Sequence, residues 1–133
     1  NYKNLNRDLI ISGIILHDIG KVSGLKFSTE AELANSGKMI GHSMLGLEIL
    51  NKSIESIKVD DEILLKLKHI ILSHYGSFQN ETRIVPCFPE ALFIYLLGRF
   101  DGEMEIMQRE IINDLNPFWT DKNNHFYREL WKK

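Results

Sequence analysis

Ile10-Ile11-Ser12-Gly13-Ile14-Ile15-Leu16-His17-Asp18-Ile19-Gly20-Lys21-Val22 is the stretch on which the fold of this chain turns. Ile10, Ile11, Ile14, Ile15 and Leu16 form an apolar run with the density of a buried helix. His17 and Asp18 close it side by side. An imidazole and a carboxylate set into an apolar wall cost on the order of several kcal/mol unless something satisfies them. A metal ion satisfies both at once, taking a neutral imidazole nitrogen and an ionised carboxylate oxygen together. The local alternative is that Asp18 caps a following turn while His17 hydrogen-bonds a backbone carbonyl. Gly20 lets the chain turn, and Lys21 puts a cation where an anion can sit.

Working outward, Leu5 to Ile19 reads as the first helix, with Asn4 or Asn6 as N-cap and Asp8 in the favourable first turn. Ser23 to Gly41 changes texture, with Gly24, Ser28, Thr29, Ser36, Gly37 and Gly41. Within it Thr29 and Glu32 fit a capping box for a short helix over Thr29 to Ala34. The segment has two readings, a mobile lid between metal-bearing helices or an ordinary solvated loop. His42 opens the next helix, in which Leu47, Leu50, Ile54 and Ile57 follow at helical spacing. Asp60 or Asp61 caps another, which runs to His74 and is ended by Gly76. Ser77 to Pro86 is polar and irregular. Pro89 suits the first position of a long helix reaching about Asn113, and Asn116-Pro117 breaks it. A final short helix is expected around Asn124 to Trp131. No strand-like alternation persists, so the expected class is all-α.

The 133 residues suit a single domain, and 44% hydrophobic with 26% charged residues is ordinary for a soluble globular chain. The apolar runs are too short and too close to charges for a membrane span, and the first residues lack a signal-peptide core. The chain does not begin with Met, so it reads as an N-terminally truncated piece of a longer protein. The single cysteine, Cys87, excludes an internal disulfide and suits a reducing cytoplasm. Beside Pro86 and Phe88 it reads as a packing residue. A formal net charge of −2 argues against a strongly basic nucleic-acid surface, although bound metals can supply local positive charge to an enzyme of phosphodiesters. Phe118 and Trp119 read either as base-stacking aromatics or as the edge of a core.

His17-Asp18-Ile19-Gly20-Lys21 closing an apolar helix resembles the signature of the HD-domain metal-dependent phosphohydrolases. Gly41-His42-Ser43-Met44-Leu45-Gly46, Lys68-His69-Ile70-Ile71-Leu72-Ser73-His74-Tyr75-Gly76, and Pro89-Glu90-Ala91 leading to Asp101 narrow the likeness to the HD domain of the YhaM-type 3′–5′ exoribonucleases. The resemblance covers about Asn6 to Met107. It implies an HD-type helical bundle holding divalent metal, Mn foremost, with Fe, Ni, Co, Zn or Mg as alternatives. By resemblance His17 and Asp18 are the His-Asp doublet, with Asp18 able to bridge two metals, and His42 and His74 are the additional histidines of a second metal site. Lys21 would contact the scissile phosphate or hold Asp18. His69, on a different face from His74, reads as structural, and His125 as exposed.

The chain departs from the family pattern in two places. The leading ligand histidine belongs before the doublet, and no residue ahead of His17 is a histidine. The closing Asp is expected where Gly98 stands, and Asp101, one turn on, would have to replace it as ligand or else serve in a salt bridge, for instance with Arg99. Three functions follow as expectations. The first is a metal-dependent phosphodiester hydrolase, a 3′–5′ exonuclease on single-stranded RNA or DNA, with Asp18 and Lys21 catalytic and with this piece alone inactive. The second is an HD hydrolase of nucleotides or cyclic dinucleotides. The third is a degenerate, non-catalytic binding or dimerisation module. A cytoplasmic chain with no membrane partner, compatible with a homo-oligomer, suits all three.

Overall fold

A computed structural model of the chain describes residues 4–27, 31–76 and 84–133. Its elements are α1 (Arg7–Leu16), α2 (Lys21–Gly24), β1 (Leu25–Phe27), β2 (Ala31–Leu33), α3 (Asn35–Ile40), α4 (His42–Ser53), α5 (Asp61–Ser73) and α6 (Pro89–Asn113). They fall into two compact units, Asn1–Leu96 and Leu97–Lys133. The all-α class holds, with one small hairpin added to it. No helix among the described residues is long and apolar enough to cross a membrane.

Local chemistry accounts for most boundaries in the first unit. The Asn6 side chain accepts from the Leu9 amide and caps α1, and Asp60 accepts from Glu62 and Ile63 to cap α5. The Asn6 amide in turn donates to Glu90 Oε1 at 2.8 Å, so the buried Glu90 ties the start of α1 to the first turn of α6. α5 lies against both α1 and α4, and α2 packs on α3 and α4. Leu9, Leu50, Leu67, Ile70, Ile71, Ala91 and Ile94 form the core between these helices. Each large side chain among them contributes about 1.5–3 kcal/mol by leaving water. Gly76 ends the helical run after His74 at φ +63°, and the Tyr95 ring lies so close that any Cβ there would strike it.

Three expectations are corrected. The first helix stops at Leu16 rather than Ile19, because the chain turns through residues 17–20 and restarts as α2. The helix proposed for Thr29–Ala34 is absent where it can be seen: Ala31–Leu33 is a strand paired antiparallel with Leu25–Phe27, and α3 follows it. Thr29 itself lies outside the described residues, as do 77–83 of the irregular stretch before Pro86. The Ala34 amide donates to the Gly24 carbonyl, and Ser36 Oγ to that of Ser23, so bonds across the sequence hold the end of β2 and the start of α3.

The third correction is in the second unit, where Asn124–Trp131 is not a helix. Asn124 Nδ2 donates to the carbonyls of Asp121 and Arg128 and to Thr120 Oγ1, competing with the helical ladder. Tyr127 takes a left-handed φ of 53°, and the Leu130 amide donates to Thr120 Oγ1. Trp119 and Trp131 meet instead in an antiparallel bridge. Asp114 fastens this loop, accepting from the amides of Asp121 and Asn116 and from Lys132 Nζ.

The Asp121 amide foremost, with Asn116 and Lys132, draws the Asp114 pKa down to about 2 from 3.8. The folded value lies below the unfolded one, so this carboxylate stabilises the loop above about pH 4 and the contribution is lost as pH falls through about 2. Indole fluorescence, which reports only on this loop because both tryptophans are in it, is expected to show an acid transition in that window. Asp114→Asn should remove the transition.

Candidate metal centre

Three helix ends build the site. His17 is the C-cap of α1, His42 the first residue of α4, and His74 the C-cap of α5. Asp18 lies in the turn between α1 and α2. Gly20, next in that turn, presses on α4: a Cβ there would stand 1.8 Å from the His42 carbonyl oxygen and 2.6 Å from the Gly46 amide nitrogen. The glycine is required by this backbone approach, since its φ of −65° is open to any residue. The contact sets the Asp18 turn against the start of α4.

His42 Nε2, His74 Nε2 and Asp18 Oδ1 form a triangle with sides of 3.4, 3.5 and 3.6 Å. His74 Nδ1 is 2.8 Å from the Ile71 carbonyl, so its proton is donated there and Nε2 carries the lone pair. Asp18 Oδ1 is buried and accepts no hydrogen bond. Two imidazole nitrogens thus crowd an anionic oxygen that has no donor. A divalent cation about 2.1 Å from each atom, the ordinary distance to imidazole nitrogen or carboxylate oxygen, reaches all three corners. The residues present fit a metal.

Charge around the carboxylate supports ionised oxygen and neutral nitrogen. Burial pushes the Asp18 carboxyl up, but hydrogen bonds with His17 and Lys21 outweigh it and hold the group well below the usual carboxylate range. Lys21 Nζ donates to Asp18 Oδ2 at 2.7 Å, so of its two expected roles the one visible is holding Asp18. His17 Nε2 lies 3.3 Å from the same Oδ2, and that hydrogen bond foremost raises its pKa. Burial lowers the pKa of His74, which favours the neutral ring that a metal takes.

His17, Asp18, Lys21, His42 and His74 are therefore brought together, with the His17 ring 5.2 Å and the His42 ring 5.4 Å from that of His74. Of the local reading of the doublet only the histidine half holds: His17 Nδ1 donates to the Ile14 carbonyl, whereas the start of α2 has no side-chain cap and the Asp18 carboxylate faces Lys21 and His17 instead. Asp101 belongs to the second unit, exposed on α6, and Arg99 pairs with Glu103 there. A Cβ at Gly98 would meet nothing within 4 Å. Two residues carry more than their sequence reading. Tyr75 packs its ring on His42 at 5.3 Å and His74 at 4.4 Å, walling the histidine pair. Cys87 is exposed rather than packed, and its amide donates to His69 Nε2. His-Tyr-Gly at a helix end was the available signal for the first; nothing in sequence joins 69 to 87.

Known proteins resemble this chain along most of its length. The 3′-5′ exoribonuclease YhaM of Bacillus subtilis (strain 168) is 31% identical over 137 residues, covering 99% of this chain and 44% of that protein. Its namesake from Bacillus velezensis is 34% identical over 132 residues, covering 96% and 42%. The one from Oceanobacillus iheyensis is 34% identical over 110 residues, covering 83% and 35%. The chain thus spans less than half the length of these relatives. No solved structure is a significant match. The HD domain family matches residues 1–113, and with the His-Asp doublet and its paired histidines in place the chain belongs to that family.

Proposed function

We propose that this chain is the hydrolytic domain of a metal-dependent phosphohydrolase acting as a 3′–5′ exonuclease on single-stranded RNA or DNA. One observation carries the reading: the buried Asp18 Oδ1, without a hydrogen-bond donor and 3.5–3.6 Å from two histidine nitrogens. The names of the relatives, 3′-5′ exoribonuclease, support the substrate class. Asp18, His42 and His74 hold the cation, Mn in the first instance, and His17 stands ready on the other carboxylate oxygen. A divalent ion in this place supplies Lewis acidity, drawing electron density from a phosphoryl oxygen and acidifying a water.

The protein groups do the remaining work. Lys21 keeps Asp18 ionised and, being partly exposed, presents its ammonium group to an incoming phosphate. The backbone bonds from His17 to Ile14 and from His74 to Ile71 fix both rings so that Nε2 points at the carboxylate. Tyr75 limits water on the far side of the histidine pair.

The test is incubation of the full-length protein and Mn with a single-stranded RNA followed by length. Stepwise shortening from the 3′ end is expected, abolished by His17→Ala and by Asp18→Ala. Shortening that survives both substitutions overturns the assignment. Hydrolysis of free nucleotides without strand shortening would transfer the site to the second substrate class.

A further inference from the structure

The histidine pair of the metal centre is packed against an aromatic ring. Tyr75 directly follows His74, and its ring lies 4.4 Å from the His74 ring at an angle of 39°. The same ring stands 5.3 Å from that of His42, at 80°. His42 and His74 in turn meet at 5.4 Å and 62°, so the three rings form one packed cluster. Tyr75 is 38% exposed and lies outside the apolar core, whereas His42 is buried.

Tyr75 is itself seated. Gly76 follows it at φ +63°, and the Tyr95 ring of α6 occupies the space where a Cβ at Gly76 would stand. The turn that carries Tyr75 therefore rests on Tyr95. At that level α6 is held to the rest of the first unit. Ile94 is buried with its end over Gly13 of α1, and Glu90 accepts from the Asn6 amide. The support thus runs from α6 through Tyr95 and the Gly76 turn to Tyr75, and from there to the two histidine rings.

A ring tied at one nitrogen can still rock about that bond. The Ile71 carbonyl fixes His74 Nδ1, which places one point of the ring and leaves its plane to be set by packing. The Tyr75 ring supplies that second restraint, and its contact at near right angles limits His42 likewise. A cation takes several ligand atoms at once only if they are held within about 0.5 Å of the productive geometry. We propose that Tyr75, seated by Tyr95 across Gly76, is a positioning residue of the metal centre, its ring holding the His42 and His74 rings so that both Nε2 atoms face Asp18 Oδ1. The proposal rests on the reading of that triangle as a cation site.

The test uses the full-length protein, stripped of metal with EDTA, desalted and titrated with cobalt(II). Cobalt is the probe because its visible absorption bands report ligand geometry as well as occupancy. Tyr75→Phe keeps the ring and should keep both the affinity and the bands. Tyr75→Ala should bind cobalt about 10- to 100-fold more weakly, the range for losing a group that orients a ligand, with altered bands. Tyr75→Leu fills space without a flat ring and should resemble the alanine variant; it decides the matter alone if Tyr75→Ala does not fold. Tyr95→Ala, which removes the seat, should weaken binding in the same direction. Parent affinity with parent bands in Tyr75→Ala, Tyr75→Leu or Tyr95→Ala overturns the proposal, even where thermal stability falls. So does a Tyr75→Phe protein that binds as weakly as Tyr75→Ala. Asp18→Ala separates this proposal from the reading beneath it: an unaltered protein that binds cobalt no better than Asp18→Ala has no such cation site, and both fall together.

Discussion

Asp18→Asn is expected to abolish the thermal stabilisation that a divalent cation gives this chain. A ligand that binds only the folded state stabilises it by about 2.7 kcal/mol at a hundred times its dissociation constant. For a chain of this length that is roughly 10 °C in melting temperature. Asp18 Oδ1 is the corner common to both histidine distances, so its charge is what makes the triangle a cation site rather than two crowded imidazoles. Asparagine keeps the shape and removes the charge. It also takes from Lys21 and His17 the anion they face. Melting curves with Mn and with EDTA, for both proteins, measure the effect. Stabilisation of the unaltered chain should fade on acidification, because a protonated His74 has no lone pair to give at Nε2. An equal Mn response in Asp18→Asn, or none in the unaltered chain, would remove the site from the interpretation.

Gly20→Ala should cost about 3 kcal/mol or more and disturb the metal response with it. The added methyl would meet the His42 carbonyl oxygen and the Gly46 amide nitrogen, which are backbone atoms and cannot rotate away. Relief requires the α2 turn to lift from α4, and that movement carries Asp18 away from His42. The measurement is urea unfolding with and without Mn. Gly13→Ala is the informative comparison, since the atoms nearest its Cβ are the flexible ends of Ile94 and Ile70. Its cost should be the smaller of the two, with the Mn response retained. With total stabilities of about 5–15 kcal/mol, the difference between the two variants is readily resolved. A Gly20→Ala protein as stable as the parent would show that the α2–α4 contact is not tight in solution.

The helices were legible because their signals are local. Asn6, Asp60, Pro89 and Gly76 act on neighbours within a turn, and the spacing of Leu47, Leu50 and Ile54 marks one face whatever lies opposite. His17 and Asp18 were legible as candidates for a related reason, since such side chains closing an apolar helix call for a partner; His42 and His74 were singled out by the resemblance to the HD-domain pattern. The pairing of β1 with β2 was not legible, since Leu25 pairs with Leu33 eight positions on, where the local signals pointed to a helix. The last loop misled in the same way, because the side chains of Asn124 and Thr120 take over backbone groups that periodicity assigns to a helix.

By itself, then, the amino-acid order determined that this chain is helical, where most of its helices begin and end, and which histidines and carboxylates stand at their ends. Only the tertiary structure decided that Asp18 leaves one oxygen bare between His42 and His74, that Lys21 grips the other, and that Gly20 is needed for contact rather than for a turn. The division has one physical reason. Capping and periodicity act across a few bonds of chain, whereas a cation site is a matter of ångströms between residues 24 and 56 positions apart, which packing alone sets.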